Sequence, residues 1–169
     1  MNDKLQFLSN VHLFRNIPQD NIRELLDAME IKTFLKGENI IREGERGSSL
    51  FFLFKGKVSV TKKMTLFADS QELSRVDKAL INLKDTDYAF FGEMALFAES
   101  EERSATVTAE SECILGELQS EMLFRLMKDS SEFGALFYRN LSKVLADRLR
   151  NANRDILKLT TALTLALEE

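Results

Sequence analysis

A chain of 169 residues, 44% hydrophobic and 30% charged, has the composition of one folded domain with an appendage and not that of a disordered segment. Its 23 Lys and Arg against 27 Asp and Glu leave a net charge of −4, which argues against a surface built for nucleic acid or acidic lipid. A single cysteine, Cys113, and a single histidine, His12, exclude an internal disulfide, a four-cysteine zinc site and the histidine-rich ligand sets of most zinc enzymes.

Two short helices are expected between Lys4 and Met29, broken at Asn16-Ile17-Pro18, with Pro18 in the first turn of the second. Ile22, Leu25, Leu26 and Met29 give that second helix an apolar stripe at helical spacing. From Ile31 the texture changes to short β-rich runs punctuated by glycine. Strands are expected over 31–35, 39–42, 49–55, 57–63, 76–83, 104–108 and 112–118, with Gly37, Gly44, Gly47 and Gly56 as turn residues. Phe51-Phe52-Leu53-Phe54 reads as core, and Cys113 as a small buried strand residue with no neighbouring base to activate it. His12 reads as a helix-end or packing residue. The polar stretch 64–74 fits a long hairpin loop or a short helix equally well.

Helical period returns after Leu118. A short helix is expected over 121–128 with Ser120 as its N-cap, then one continuous helix from Ser131. Along it Leu149, Ala152, Ile156, Leu159, Leu163 and Ala166 are spaced 3-4-3-4-3, a heptad seam. The N-terminus lacks a secretory signal and the longest apolar runs are far too short to cross a bilayer, so a cytoplasmic protein without a membrane role is expected.

The chemistry is concentrated in Phe91-Gly92-Glu93-Met94-Ala95-Leu96-Phe97 and the following Glu102-Arg103-Ser104-Ala105-Thr106-Val107. A glycine opening a helical turn leaves unpaired backbone N–H groups for an anion. An arginine entering the next strand supplies a planar fork suited to phosphate oxygens. Glu93 can accept a hydrogen bond from a sugar hydroxyl. Together these describe a site for a sugar phosphate.

This segment resembles the phosphate-binding cassette of the cyclic nucleotide-binding domain family, most closely its bacterial catabolite-activator branch. Lys36-Gly37-Glu38-Asn39-Ile40-Ile41-Arg42-Glu43-Gly44-Glu45 and the run from Leu50 to Val60 are similar to the family's glycine-turned early strands, and the resemblance covers roughly 7–150. It implies a mainly β fold, an antiparallel jelly-roll-like β-barrel with flanking helices and a long C-terminal helix. Residues 1–130 would be the nucleotide-binding domain and 131–169 the dimerisation and switch helix. It implies further that Gly92, Glu93, Met94 and Ala95 surround ribose and phosphate, with Glu93 on the 2′-hydroxyl. Arg103 would pair with the phosphate beside Ser104 and Ala105, and Val60 and Leu83 would face the base. Arg148, Ala152 and Asn153 would approach the base from the long helix. The ligand implied is cAMP or cGMP, with no cofactor and no metal.

The sequence departs from the family before the cassette, where Leu83-Lys84-Asp85-Thr86-Asp87-Tyr88-Ala89-Phe90 lacks the usual Gly-Asp turn. The expectation is a stand-alone sensor, not an enzyme, that forms a homodimer through Leu149, Ile156, Leu159 and Leu163 and signals to an effector protein. The chain stops at Glu169 without a DNA-reading helix-turn-helix, so nucleic acid is not an expected partner. The alternative is a ligand-free scaffold of the same fold.

Overall fold

The computed structural model describes residues 2–64, 76–97 and 102–167. The undecided stretch 64–74 therefore lies outside the described residues, except for Met64, which ends a strand. Eight strands are described: β1 (Glu30–Phe34), β2 (Asn39–Ile41), β3 (Leu50–Lys55), β4 (Lys57–Met64), β5 (Val76–Lys84), β6 (Phe90–Phe91), β7 (Thr106–Ala109) and β8 (Cys113–Leu118). They form two four-stranded antiparallel sheets, ordered β1-β8-β3-β6 and β2-β7-β4-β5. Helices α1 (Asn2–Asn10) and α2 (Gln19–Asp27) precede them, and α3 (Ser120–Asp129) and α4 (Ser131–Leu167) follow.

The period of two in β3 explains its unbroken apolar run. Phe51 and Leu53 point between the sheets, where they meet Ile41, Val58, Phe91, Val107 and Leu115. Leu50 and Phe52 point the other way, into a second core with Leu8, Phe14, Leu25, Leu123, Phe133 and Phe137 from the helical segments. One sheet thus carries apolar side chains on both faces, and the barrel and the helices share it as a common wall. This is the expected jelly-roll-like barrel with flanking helices.

Helix α4 docks through Phe133, Phe137 and Leu141, and the buried Asn140 pins it by donating to the carbonyls of Leu13 (3.1 Å) and Arg15 (2.7 Å). Beyond Val144 its side chains are exposed. At 1.5 Å per residue the 37-residue helix is about 55 Å long, far more than this docking covers.

Several local expectations are corrected. Gln119, not Ser120, is the N-cap of α3; Ser120 is the first helical residue, and its hydroxyl shares a 2.7 Å hydrogen bond with Ser48. Pro18 sits just before the first turn of α2 and not in it. The strand expected over 104–108 begins only at Thr106. The chain before it is tied to the β2–β3 loop, Arg103 N–H donating to Glu45 and Gly44 N–H to Arg103, both at 2.9 Å. The two-residue β6 is too short to show a period, yet it pairs Phe91 with Phe51 and Phe90 with Phe52. Where the Gly-Asp turn is lacking, a 3-10 turn over Asp85–Asp87 ends in Tyr88 at φ +50°, and Asp85 accepts the Gly56 N–H at 2.9 Å.

Candidate functional site

β6 ends at Gly92, whose φ of +92° turns the chain into a single 3-10 turn, Glu93–Leu96. Glycine is required here twice over. The left-handed backbone disfavours any other residue, and a Cβ would lie 2.7 Å from the Ser49 carbonyl oxygen and 3.0 Å from Arg103 Nη1. The turn and the arginine are therefore built against each other.

Arg103 is a buried cation, 8% exposed. Its Nη1 donates to the carbonyls of Ser49 (2.9 Å) and Gly92 (3.4 Å), and its guanidinium stands over the Phe51 ring at 5.8 Å. Burial lowers its pKa from the ordinary value, the Glu117 charge opposing that fall, and an arginine so placed stays protonated. Among the described residues no carboxylate pairs with it directly. Gly47, expected only as a turn residue, packs beside the guanidinium: a Cβ there would lie 3.2 Å from Nη2 and 3.3 Å from Nε.

Arg103 lines a cavity of about 600 Å³, a volume typical of small-molecule sites. Gly92, Glu93, Met94 and Ala95 form one side, and Arg103, Ser104 and Ala105 another. Val60 and Leu83, with Ile41, Ile81 and Val107, supply an apolar wall from the strands. Arg148 and Ala152 close it from α4 together with Leu145, Leu149, Asn151 and Asp155.

Of the positions singled out in the sequence, Asn153 alone is not among the lining residues. With 3.6 residues per turn it lies about 140° round the helix from Arg148, whereas Asn151 lies about 60° away and faces in. Counting the helical period outward from Arg148 would have picked out Leu145, Asn151 and Asp155. Phe91, at the head of the segment singled out in the sequence, also lines the cavity, as does Lys62, whose sequence context does not signal it.

Glu93 is 5% exposed, and its carboxylate accepts a hydrogen bond from Arg148 Nη1. Arg148 also donates through Nη2 to the Phe90 carbonyl at 3.1 Å and stands over the Phe90 ring at 5.0 Å. The ion-pair partner of Glu93 is thus on α4 and is not Arg103. Chemically the site offers a fixed cation, a glycine-opened turn whose Ala95 N–H donates to the Gly92 carbonyl at 3.2 Å, a buried carboxylate and an apolar wall.

A family model described as "Cyclic nucleotide-binding domain" matches residues 31–130. The chain belongs to this family. Human cGMP-dependent protein kinase 2 is 32% identical over 151 residues, covering 88% of this chain but only 17% of the kinase. The chain therefore corresponds to a small part of that relative. Among solved structures, the catabolite activator protein of Thermus thermophilus superposes with a TM-score of 0.70 at 26% identity, covering 88% of this chain and 63% of the activator. The regulatory domain of Toxoplasma gondii PKA with cAMP gives 0.66 at 25% identity, covering 85% and 48%. These relatives carry the family's binding domain. No described helix is long and apolar enough to cross a membrane.

Proposed function

We propose that this chain binds cAMP or cGMP in the cavity beneath α4 and reports the binding through that helix. The observation that carries the proposal is Arg103: a buried cation whose Nη1 is held by the Ser49 and Gly92 carbonyls and whose side chain lines a cavity of about 600 Å³. A cyclic phosphate meets that cation and the backbone N–H groups after Gly92, the ribose 2′-hydroxyl reaches Glu93, and the base lies between Val60, Leu83 and α4. The names of the relatives, one cGMP-dependent and one solved with cAMP, support this ligand class and leave the choice between the two purines to experiment.

In this proposal residues 1–130 bind and 131–169 read out. Arg148 joins the two parts, so ligand entry changes the environment of α4 directly. Free energy for a switch comes only from tighter binding to one arrangement of α4 than to another. The exposed Leu149, Ile156, Leu159 and Leu163 fit a homodimer seam, and an effector protein would receive the change of helix position. The free, buried Cys113 suits a reducing, cytoplasmic setting.

Titration calorimetry with cAMP and with cGMP tests the proposal, using Arg103→Ala as control. Saturable heat from either nucleotide, lost in the variant, is expected. No heat from both at high micromolar concentration would favour a ligand-free scaffold of the same fold.

A further inference from the structure

Behind Arg103, on the side away from the cavity, stands a buried polar chain that the proposed site does not use. Glu117 belongs to β8, whose row Cys113-Leu115-Glu117 turns toward the space between the sheets; the first two are core, and Glu117 is 8% exposed. A carboxylate at the end of such a row is costly unless it is fully paired. It is paired on each side. Ser49 Oγ donates to its Oε1 at 2.6 Å, Lys32 Nζ lies 2.5 Å from its Oε2, and Gln119 Nε2 donates to Oε1 at 3.3 Å.

Ser49 is the hinge of this chain. Its hydroxyl is held by Glu117 while its carbonyl accepts Arg103 Nη1 at 2.9 Å. Gly47 leaves the guanidinium no side chain to rest on at its other edge, so the Ser49 carbonyl is a principal anchor of the fork. Burial alone would raise the Glu117 pKa; the hydrogen bonds and charge of Lys32, Ser49 and Gln119 outweigh it and hold the carboxyl below its ordinary value, so it stays ionised.

We infer that Glu117 is a positioning residue for the phosphate site: through Ser49 it fixes the guanidinium of Arg103 in the orientation that meets a cyclic phosphate. The inference rests on the nucleotide-binding proposal for its functional meaning. Its structural content, an Arg103 side chain immobilised by Glu117, stands apart from that proposal.

The test uses the full chain. Glu117→Ala is expected to weaken cGMP and cAMP binding about tenfold, the effect of losing one charge-assisted hydrogen bond, whereas Glu117→Gln keeps an acceptor for Ser49 and recovers most of the affinity. In an Arg103→Lys background, whose point charge lacks the fork, Glu117→Ala is expected to cost less than about twofold, because the two residues act as a unit. Full additivity, or wild-type affinity in Glu117→Ala, overturns the inference. Hydrogen exchange of the Arg103 Nε–H by NMR, in the free protein, is the second readout. Faster exchange in Glu117→Ala, in a variant whose backbone spectrum remains folded, supports immobilisation; unchanged exchange overturns it. If the wild-type chain binds neither nucleotide, the ligand proposal falls while the exchange measurement still decides the positioning of Arg103.

Discussion

The guanidinium of Arg148, on α4, donates to the buried carboxylate of Glu93, on the turn that follows Gly92. It is the polar contact between the long helix and the turn that lines the cavity, beside the ring contact of Phe97 with Tyr138 at 5.7 Å. Arg148 is 41% exposed by side chain and Glu93 only 5%, so the pair is screened from water on one side alone. Arg148→Met leaves a buried carboxylate without its cation, at a cost of about 1–3 kcal/mol. Chemical denaturation should show that loss, and adding Glu93→Gln should recover part of it, because the neutral amide no longer needs a cation. Additive losses in the double variant would show that the two side chains do not act together.

Gly92 and Gly47 both border Arg103 but differ in what a methyl group would meet. Gly92→Ala forces a side chain onto a φ of +92° and against a backbone oxygen at 2.7 Å, so stability is expected to fall by about 2 kcal/mol or more along with binding. Gly47→Ala meets only the guanidinium, at 3.2 Å, which can move by a few tenths of an ångström. Its melting temperature is expected to stay within about 3 °C of wild type while nucleotide affinity drops. Equal behaviour of the two variants would contradict this geometry.

The sign of the pH dependence follows from Glu117. Its folded-state pKa lies below the ordinary 4.5, so its stabilising contribution is present above that value and is lost as pH falls through the lower folded-state value. Wild type is therefore expected to lose its advantage over Glu117→Gln on acidification below about pH 4.5, and to keep it between about pH 6 and 8. Urea titrations of both proteins across that range measure the difference. A difference that grows on acidification would reverse the assignment.

The exposed seam on α4 is expected to hold a parallel dimer. Analytical ultracentrifugation of the full chain, of Ile156→Glu/Leu159→Glu and of a truncation after Arg150 should give a dimer in the first case and monomers in the other two. An unchanged mass in all three would show that the seam does not hold a dimer. Leu149 and Ala152 both line the cavity and belong to the seam, so a dimer contact through that seam and a ligand in the cavity would share one helix face.

What the sequence made legible follows from how local each signal is. Gly92 with Glu93 and Arg103 are close in the chain and their chemistry is stated by residue type, so this candidate constellation could be picked out before any geometry. The apolar run of β3 showed burial, although only the two-sheet arrangement shows that Phe51 and Phe52 enter different cores. Glu117 was not visible as anything but a polar residue in a strand, because its partners Lys32 and Ser49 are 85 and 68 positions away. The Gly47 contact was hidden for the same reason. Asn153, expected near the base, is not among the cavity-lining residues whereas Asn151 is: a shift of two residues in register on a helix rotates a side chain by about 160°.

The most direct measurement is a titration of the ¹⁵N-labelled full chain with cGMP and with cAMP, followed by NMR. Saturable shifts of the Gly92, Met94 and Ala95 amide signals and of the Arg103 Nε–H, centred on the site, are expected for at least one of the two nucleotides. Signals at these four residues that stay in place up to millimolar concentrations of both nucleotides would contradict the proposed nucleotide binding.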